Sequence, residues 1–207
     1  MNRVKRIKVI IVGLFLLLPS CLGLEQPSNK VDYYTLEYPP PRLEGLRPLE
    51  CVVRVQRFSV AAPYNRIPIV YRDKAFRRQT YHYHKWRANP GDLVSSYLQR
   101  DLKSSGLFKA VLPYDSKGPS DYLLEGSVDE FFEWDTGETW KAVLTLSVAL
   151  IADREPNIQR GVIFQKTYRE EQPCKDRTPE AVAEAMSGAM ARIAERILRD
   201  LYGHMHR

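Results

Sequence analysis

The sequence predicts an α+β domain, a largely antiparallel sheet with two helices packed on one face, preceded by a signal segment and a Pro-rich tether. Three features point there. Two capped stretches, following Asn89 and Thr178, repeat apolar residues at helical spacing. Three long runs between them, 122–134, 140–153 and 161–171, alternate as strands do. Hydrophobic residues make up 44% of the 207 and aromatic residues 11%, enough for a real core.

The first twenty residues stand apart. Arg3, Lys5, Arg6 and Lys8 precede an apolar run, 9–19, which is followed at once by Ser20 and Cys21. That run is about half the roughly 20 residues a spanning helix needs, so the layout is that of an export signal. These four cations also explain most of the formal charge of +6. From residue 21 onward 27 basic side chains face 25 acidic ones, near +2, so a nucleic-acid partner is not expected.

Leu18-Pro19-Ser20-Cys21 resembles a bacterial lipobox, with Pro19 departing from the commoner small residue at that place. The pathway it implies attaches a diacylglycerol thioether to Cys21, cuts before it and acylates the new amine. Three acyl chains (palmitate and its like) exceed the two-signal requirement for stable anchoring. Leu22, where an Asp would argue for the inner membrane, favours the outer membrane facing the periplasm. Cleavage after Gly23, giving a secreted protein, is the alternative. With Cys21 acylated, Cys51 and Cys174 remain as an even pair in an oxidising space. They could form one disulfide closing a loop of over a hundred residues, worth about 4–5 kcal/mol, or stay two separate thiols.

Residues 21–50 read as lipidated N-terminus and tether. Pro39-Pro40-Pro41 stiffens it, and Asp32-Tyr33-Tyr34-Thr35-Leu36 is apolar enough to dock as a short edge strand. The single domain is expected over 51–207, opening with a β-rich run that carries Val53, Val55 and Phe58. Runs 67–73 and 77–86, separated by Lys74-Ala75-Phe76, suggest a hairpin. Asn89 as N-cap, Pro90 at N1 and Asp92 in the first turn start a helix along Leu93, Tyr97, Leu98 and Leu102, which Gly106 stops. A short strand over 107–112 leads out.

In the first long strand Leu124, Val128, Phe132 and Trp134 are expected on one face. In the second the inward set is Leu144, Leu146, Val148 and Leu150. In the third, Val162, Phe164 and Tyr168 share a face. Turns near Thr136-Gly137 and Pro156-Asn157 make these an antiparallel meander. Thr178 and Pro179 open the last helix, with one stripe from Val182 through Met186, Ala189, Ile193 and Ile197 to Leu201 and an expected end at Gly203. Ala181, Ala185, Gly188 and Ala189 would let it pack closely on the sheet.

In this order the pieces resemble the ABC-type transport auxiliary lipoprotein family. Cys21 carries the resemblance, as do Tyr33-Tyr34-Thr35-Leu36, Trp86 and Pro90 entering the helix, Leu98, Leu102, Gly106 and Phe108. So do the run Asp121-Tyr122-Leu123-Leu124-Glu125-Gly126 and the Ala-rich last helix. Residues 64–85 are similar to the family's segment after its first strand; the basic, His-bearing hairpin and the paired cysteines depart from it. The resemblance implies a non-enzymatic outer-membrane lipoprotein that meets an MCE-type periplasmic protein of a lipid or organic-solvent transport system. An ATPase elsewhere would power it, since no GxxxxGK[ST] loop occurs in this chain. The family's role also suggests a homo-oligomer. An assembly or structural lipoprotein of another envelope machine, such as lipopolysaccharide export or pilus and secretin assembly, is the competing class.

Chemical candidates weigh less. His82 and His84, two apart on a strand, would share a face but lack a further ligand at metal-site spacing. His204 and His206 lie at the C-terminus. Asp129, Glu130 and Glu133 could imitate a glycosidase carboxylate pair, with Asp129 and Glu133 expected on the exposed face. No nucleophile or metal motif accompanies them, so no enzyme and no cofactor are expected. The hairpin gathers Tyr71, Arg72, Lys74, Arg77, Arg78, Tyr81, Tyr83, Lys85, Trp86 and Arg87. It is either a solvated edge protected by charge or a docking surface for the periplasmic partner or lipid headgroups. Tyr71, Arg72, Arg77, Arg78, Tyr81, Tyr83 and Trp86 are the residues expected to dock.

Overall fold

The computed structural model describes residues 30–155 and 161–206, and the folded unit begins at Val31. Cys21, the signal and the first part of the tether lie outside the described residues. The strands are β1 (Asp32–Tyr34), β2 (Leu49–Val55), β3 (Ser59–Val60), β4 (Pro68–Lys74), β5 (Arg77–Trp86), β6 (Phe108–Leu112), β7 (Tyr122–Asp135), β8 (Trp140–Ala152) and β9 (Val162–Pro173). The helices are α1 (Pro90–Ser105) and α2 (Pro179–Met205).

The long strand β7 is the spine of one mixed sheet. On one side it pairs antiparallel with β8, and β8 with β9, in the expected meander. On its other side the chain climbs in three parallel steps: β2 against Tyr122–Leu124, β3 against Ser127 and Val128, and β4 against Glu133 and Trp134. Beyond β2 lies β6, and beyond β4 lie β5 and then β1. The long antiparallel ladders carry most of the pairing. Helix α2 packs on β8 and β9, and α1 on β6, β7, β2 and β3 beside it.

The helix ends follow their cap chemistry. Asn89 accepts from Gly91 N–H, and Gly106 closes α1 in the left-handed conformation at φ 67°. Thr178 accepts from Ala181 N–H at the start of α2. That helix passes through Gly203, where it was expected to end, and stops at Met205, because Gly203 has no left-handed φ to break it.

A β-bulge corrects one face. Val128 pairs with Leu146, but Phe131, not Phe132, pairs with Leu144. The extra residue reverses the alternation. Phe131 therefore continues the helix-side core with Leu124 and Val128, whereas Phe132 and Trp134 turn to the face without helices, the open face, opposite Val143 and Lys141, where Phe132 and Val143 are nonetheless buried.

The expected tether is shorter than 21–50, since residues 31–48 are laid across the domain as a strap. Leu36 is fully buried. Tyr97 of α1 donates to the Leu36 carbonyl, Ser187 of α2 accepts from Glu37 N–H at 2.9 Å, and Tyr202 accepts from Arg47 N–H at 3.3 Å. Ala181, Ala185 and Gly188, expected against the sheet, line a 280 Å³ cavity walled by Gln172 and Pro173 of β9 on one side and by Glu37, Tyr38 and Pro39 of the strap on the other.

Cys51 and Cys174 are both free. Cys51 Sγ lies 3.9 Å from Met205 Sδ at the end of α2, and Cys174 lies just before its start. A helix of 27 residues, about 40 Å long, runs between those points. The bridge is not formed, and the two separate thiols are what the fold has.

Candidate functional site

The hairpin β4–β5 divides the expected docking residues among three environments. A step of two residues on β4, from Pro68 to Val70, answers a step of five on β5, from Lys85 to Thr80. This irregularity distributes the aromatic residues unevenly.

The first environment is buried on the helix side. Trp86, expected at the docking surface, is 1% exposed and packs edge-on against Phe131 at 5.0 Å, so it is a core residue. The Tyr81 hydroxyl donates to Glu133 Oε2 at 2.9 Å, its ring lies 4.9 Å from that of Tyr71, and the Tyr71 hydroxyl is 2.6 Å from the Gln79 amide. Neither tyrosine hydroxyl is free to meet a partner. Glu133 is 1% exposed and its Oε1 has no hydrogen-bond partner. Burial pushes its carboxyl up to about 7, against the lowering effect of the Tyr81 bond. Burial and then the Glu133 charge push the Cys174 thiol up to about 11, which makes it unreactive.

The second environment is the open face and the hairpin tip. The Arg72 guanidinium stacks 4.4 Å from the Trp134 ring centroid, and Lys141 Nζ approaches the same ring at 5.6 Å. Arg78 lies 5.1 Å from the Phe132 centroid, and Tyr64 stacks on that ring at 5.6 Å. Arg77 is held by Asp73, with Nε 3.0 Å from Oδ1. At the tip Phe76 is wholly exposed and held at φ 63°. A non-glycine residue in that region is uncommon, and an apolar one at a tip more so.

The third environment is the outer edge, where Tyr83 and His82 are exposed, and Tyr33 with them on β1. His84 Nδ1 is 3.0 Å from the Tyr34 hydroxyl, so this histidine ties β1 down while His82 does not share its contact. His204 stacks on Phe164 and His206 on Tyr202. Among the described residues no three metal-capable side chains gather.

The carboxylates do not form an acid–base pair. Asp129, at the bulge, accepts from Ser127 and Ser147, and Glu130 accepts from Thr145 and Arg169. Glu133 lies on the helix side opposite Ala142, so it does not share an exposed face with Asp129 as expected; the bulge separates them. Lys141, Glu171, Arg169 and Glu130 run across the open face as a chain of ion pairs.

Sequence reasoning missed the clasp of the strap. Asp101, fully buried, accepts from the Tyr38 hydroxyl at 2.7 Å and from Arg100 at 2.7 Å, while Arg100 stacks on Tyr38 and Tyr97. A signal was available: Asp101 follows Leu98 by three and so falls on the buried stripe of α1.

The family described as ABC-type transport auxiliary lipoprotein component matches residues 34–198, from β1 to the last turns of α2. A crystal structure of a Xanthomonas campestris protein of family DUF330 has a TM-score of 0.71 at 20% identity, covering 81% of this chain and 92% of that one. An uncharacterized protein of known structure has a TM-score of 0.63 at 12% identity, with 83% and 99% covered. A hypothetical protein from Chlamydia trachomatis has 0.50 at 13%, with 76% and 98% covered. No curated protein matches the chain. These likenesses concern the fold.

Proposed function

Because the chain belongs to the ABC-type transport auxiliary lipoprotein family, we propose that it is a non-enzymatic adaptor, anchored by acyl chains at Cys21 to the outer membrane and binding an MCE-type periplasmic component of an intermembrane lipid or organic-solvent transporter. The observation that carries this reading is the family match over most of the folded unit. The family is an auxiliary transport component, and Asp129, Glu130, Glu133 and His84 are each engaged in structural bonds. The mechanism is positional. Acyl chains hold the N-terminus, the short stretch before Val31 sets the reach, and a face of the domain meets the partner.

Of the expected docking residues a partner can reach Tyr83 at the outer edge and Arg77 at the tip, where it also meets the exposed Arg78 and the half-buried Arg72. The Arg72 and Arg78 guanidiniums lie over Trp134 and Phe132, and stacked, pre-ordered Arg and aromatic groups suit an interface because little rotamer entropy is lost on binding. Phe76 offers an apolar anchor beside them.

The test is a photo-crosslinker in place of Phe76 in the full-length chain, expressed in a Gram-negative host and activated in intact cells. Mass spectrometry then identifies the captured proteins. An MCE protein supports the adaptor. Capture of secretin, pilus or lipopolysaccharide-export proteins instead replaces it with the competing class.

A further inference from the structure

We propose that the outer edge of the sheet, formed by β1 and the end of β5, rests on the phospholipid surface, with Tyr33 and Tyr83 seated in the headgroup layer. This deepens the anchored-adaptor reading and rests on it. Three observations meet at this edge. Tyr33 is 52% exposed and Tyr83 44%, two large aromatic side chains left in water on neighbouring strands. Single exposed tyrosines are ordinary, but a pair on adjoining strands calls for a partner. Lys85, directly opposite Tyr33 in the register, lies two residues beyond Tyr83 and has no ion pair among the described residues.

Chain length supplies the third observation. Val31, where the folded unit begins, is ten residues from Cys21. A fully extended chain spans at most about 3.3–3.6 Å per residue, so β1 cannot stand further than about 36 Å from an acylated Cys21. The edge that carries the tyrosine pair is therefore the part of the domain closest along the chain to the bilayer. Tyrosine is suited to that layer, since its ring is apolar and its hydroxyl stays wet; Lys85 and Arg87 supply cations there, set against Asp32 and the Glu37, Glu180 and Glu184 carboxylates of the groove that Tyr33 lines. Among the described residues no strand pairs on the outer side of β1. If this edge faces the bilayer, the hairpin tip at Phe76, at the opposite end of β5, is left for a protein partner.

The test places p-benzoylphenylalanine, one site at a time, at Tyr33, Tyr83 and Tyr114 of the full-length chain. Tyr114 is the control, a tyrosine of equal exposure (55%) but far along the chain from the anchor. The protein is reconstituted in phosphatidylethanolamine–phosphatidylglycerol vesicles and irradiated, and lipid adducts are read by mass. Intact mass of the same samples reports acylation at Cys21 separately. The expected result is several-fold more lipid adduct at positions 33 and 83 than at 114. Acylated protein with no excess at 33 and 83 overturns the proposal, as does capture of protein instead of lipid at both. If the mass shows no acylation, the anchor reading fails by itself. An excess at 33 and 83 on added vesicles would then still support the edge, and equal yields would overturn it.

Discussion

The strap over residues 31–48 and the helix α2 lie against each other, yet they are held by different means. Helix α2 buries Val182, Met186, Ile193, Ile197 and Leu201 completely, each against several neighbours of the sheet. Among strap residues only Leu36 is buried to that degree. The rest is held by the short β1 ladder, by the partly buried Tyr34, Tyr38, Leu43 and Leu46, and by single bonds: Tyr34 to His84, Glu37 to Ser187, Tyr38 to Asp101 and Arg47 to Tyr202. Apolar burial is non-directional and shared, so it ties a helix into the cooperative core. A row of individual bonds can open locally while the core stays folded. The N-terminal strap is thus the part of the domain most easily loosened.

The largest expected effect tests the helix side of that comparison. Ile193→Ala removes a fully buried side chain and should cost about 2–5 kcal/mol, read as a fall in the global melting temperature. Leu36→Ala removes a side chain just as buried. Its effect should instead be local, appearing as faster amide exchange at Arg87, whose N–H bonds to the Tyr34 carbonyl, and at Glu37. An equal fall in melting temperature for both variants would show strap and helix to be one cooperative unit and would break the comparison.

The next effect concerns Glu133, the exception to apolar burial on the helix side. Its folded pKa of about 7 lies above the ordinary carboxyl value of 4.5. The native state therefore holds the proton more tightly than the unfolded chain, and stability falls as pH rises from about 4.5 to about 7. Glu133→Gln keeps the shape and the bond from Tyr81 without the charge. It should stabilise the protein by up to about 3 kcal/mol at pH 8 and by little at pH 4, measured by urea unfolding at both. A gain of the same size at both pH values would mean that Glu133 is not ionised by burial-dependent titration.

What could be read in the sequence follows the same division. Asn89, Gly106, Thr178 and Pro179 announce the helix ends because caps are local chemistry. The hairpin over 67–86 and the meander over 122–171 were legible for a like reason, since adjacent segments pair through short turns. Three things were not. The parallel ladders of β2, β3 and β4 along β7 join residues about seventy apart, as with Val53 and Tyr122, and nothing local encodes that register. The bulge beside Asp129 inserts one residue in a strand whose Phe131-Phe132 pair reads equally well on either face, so the inward-face and carboxylate expectations for that strand shifted by one. The strap looked like a tether because Pro39-Pro40-Pro41 disfavours regular structure. Leu36 and Tyr38 show that irregular chain can still be packed. The site is least legible: Trp86 alternates with basic residues, which reads as surface, yet it packs against Phe131 in the core.

A smaller effect isolates the clasp. Tyr38→Phe removes one bond from the fully buried Asp101 and leaves the ring stacked on Tyr97 at 5.4 Å. Leaving a buried carboxylate oxygen without its donor should cost about 1–3 kcal/mol. The loss should appear as strap exchange and as easier proteolysis within residues 37–48, with the melting temperature nearly unchanged. Protection equal to the parent would mean that Leu36 alone holds the strap, which would sharpen the comparison to a single apolar anchor.

The smallest effect asks whether polar bonds matter equally on the helix. Arg192 lies 3.1 Å from Glu170 and also reaches Gln172, but it is 45% exposed, and Arg196 bonds the same Glu170 at 2.8 Å. Water screens such a pair, and the second arginine takes over its carboxylate. Arg192→Ala should therefore change stability by no more than about 0.5 kcal/mol at low salt, and by less at high salt. Comparison with Tyr38→Phe by urea unfolding and amide exchange decides the matter. On α2 the polar bonds overlie a fully buried apolar seam that holds without them, whereas on the strap they fasten a segment whose apolar contacts, Leu36 apart, are only partly buried, so a single lost bond must register more strongly there.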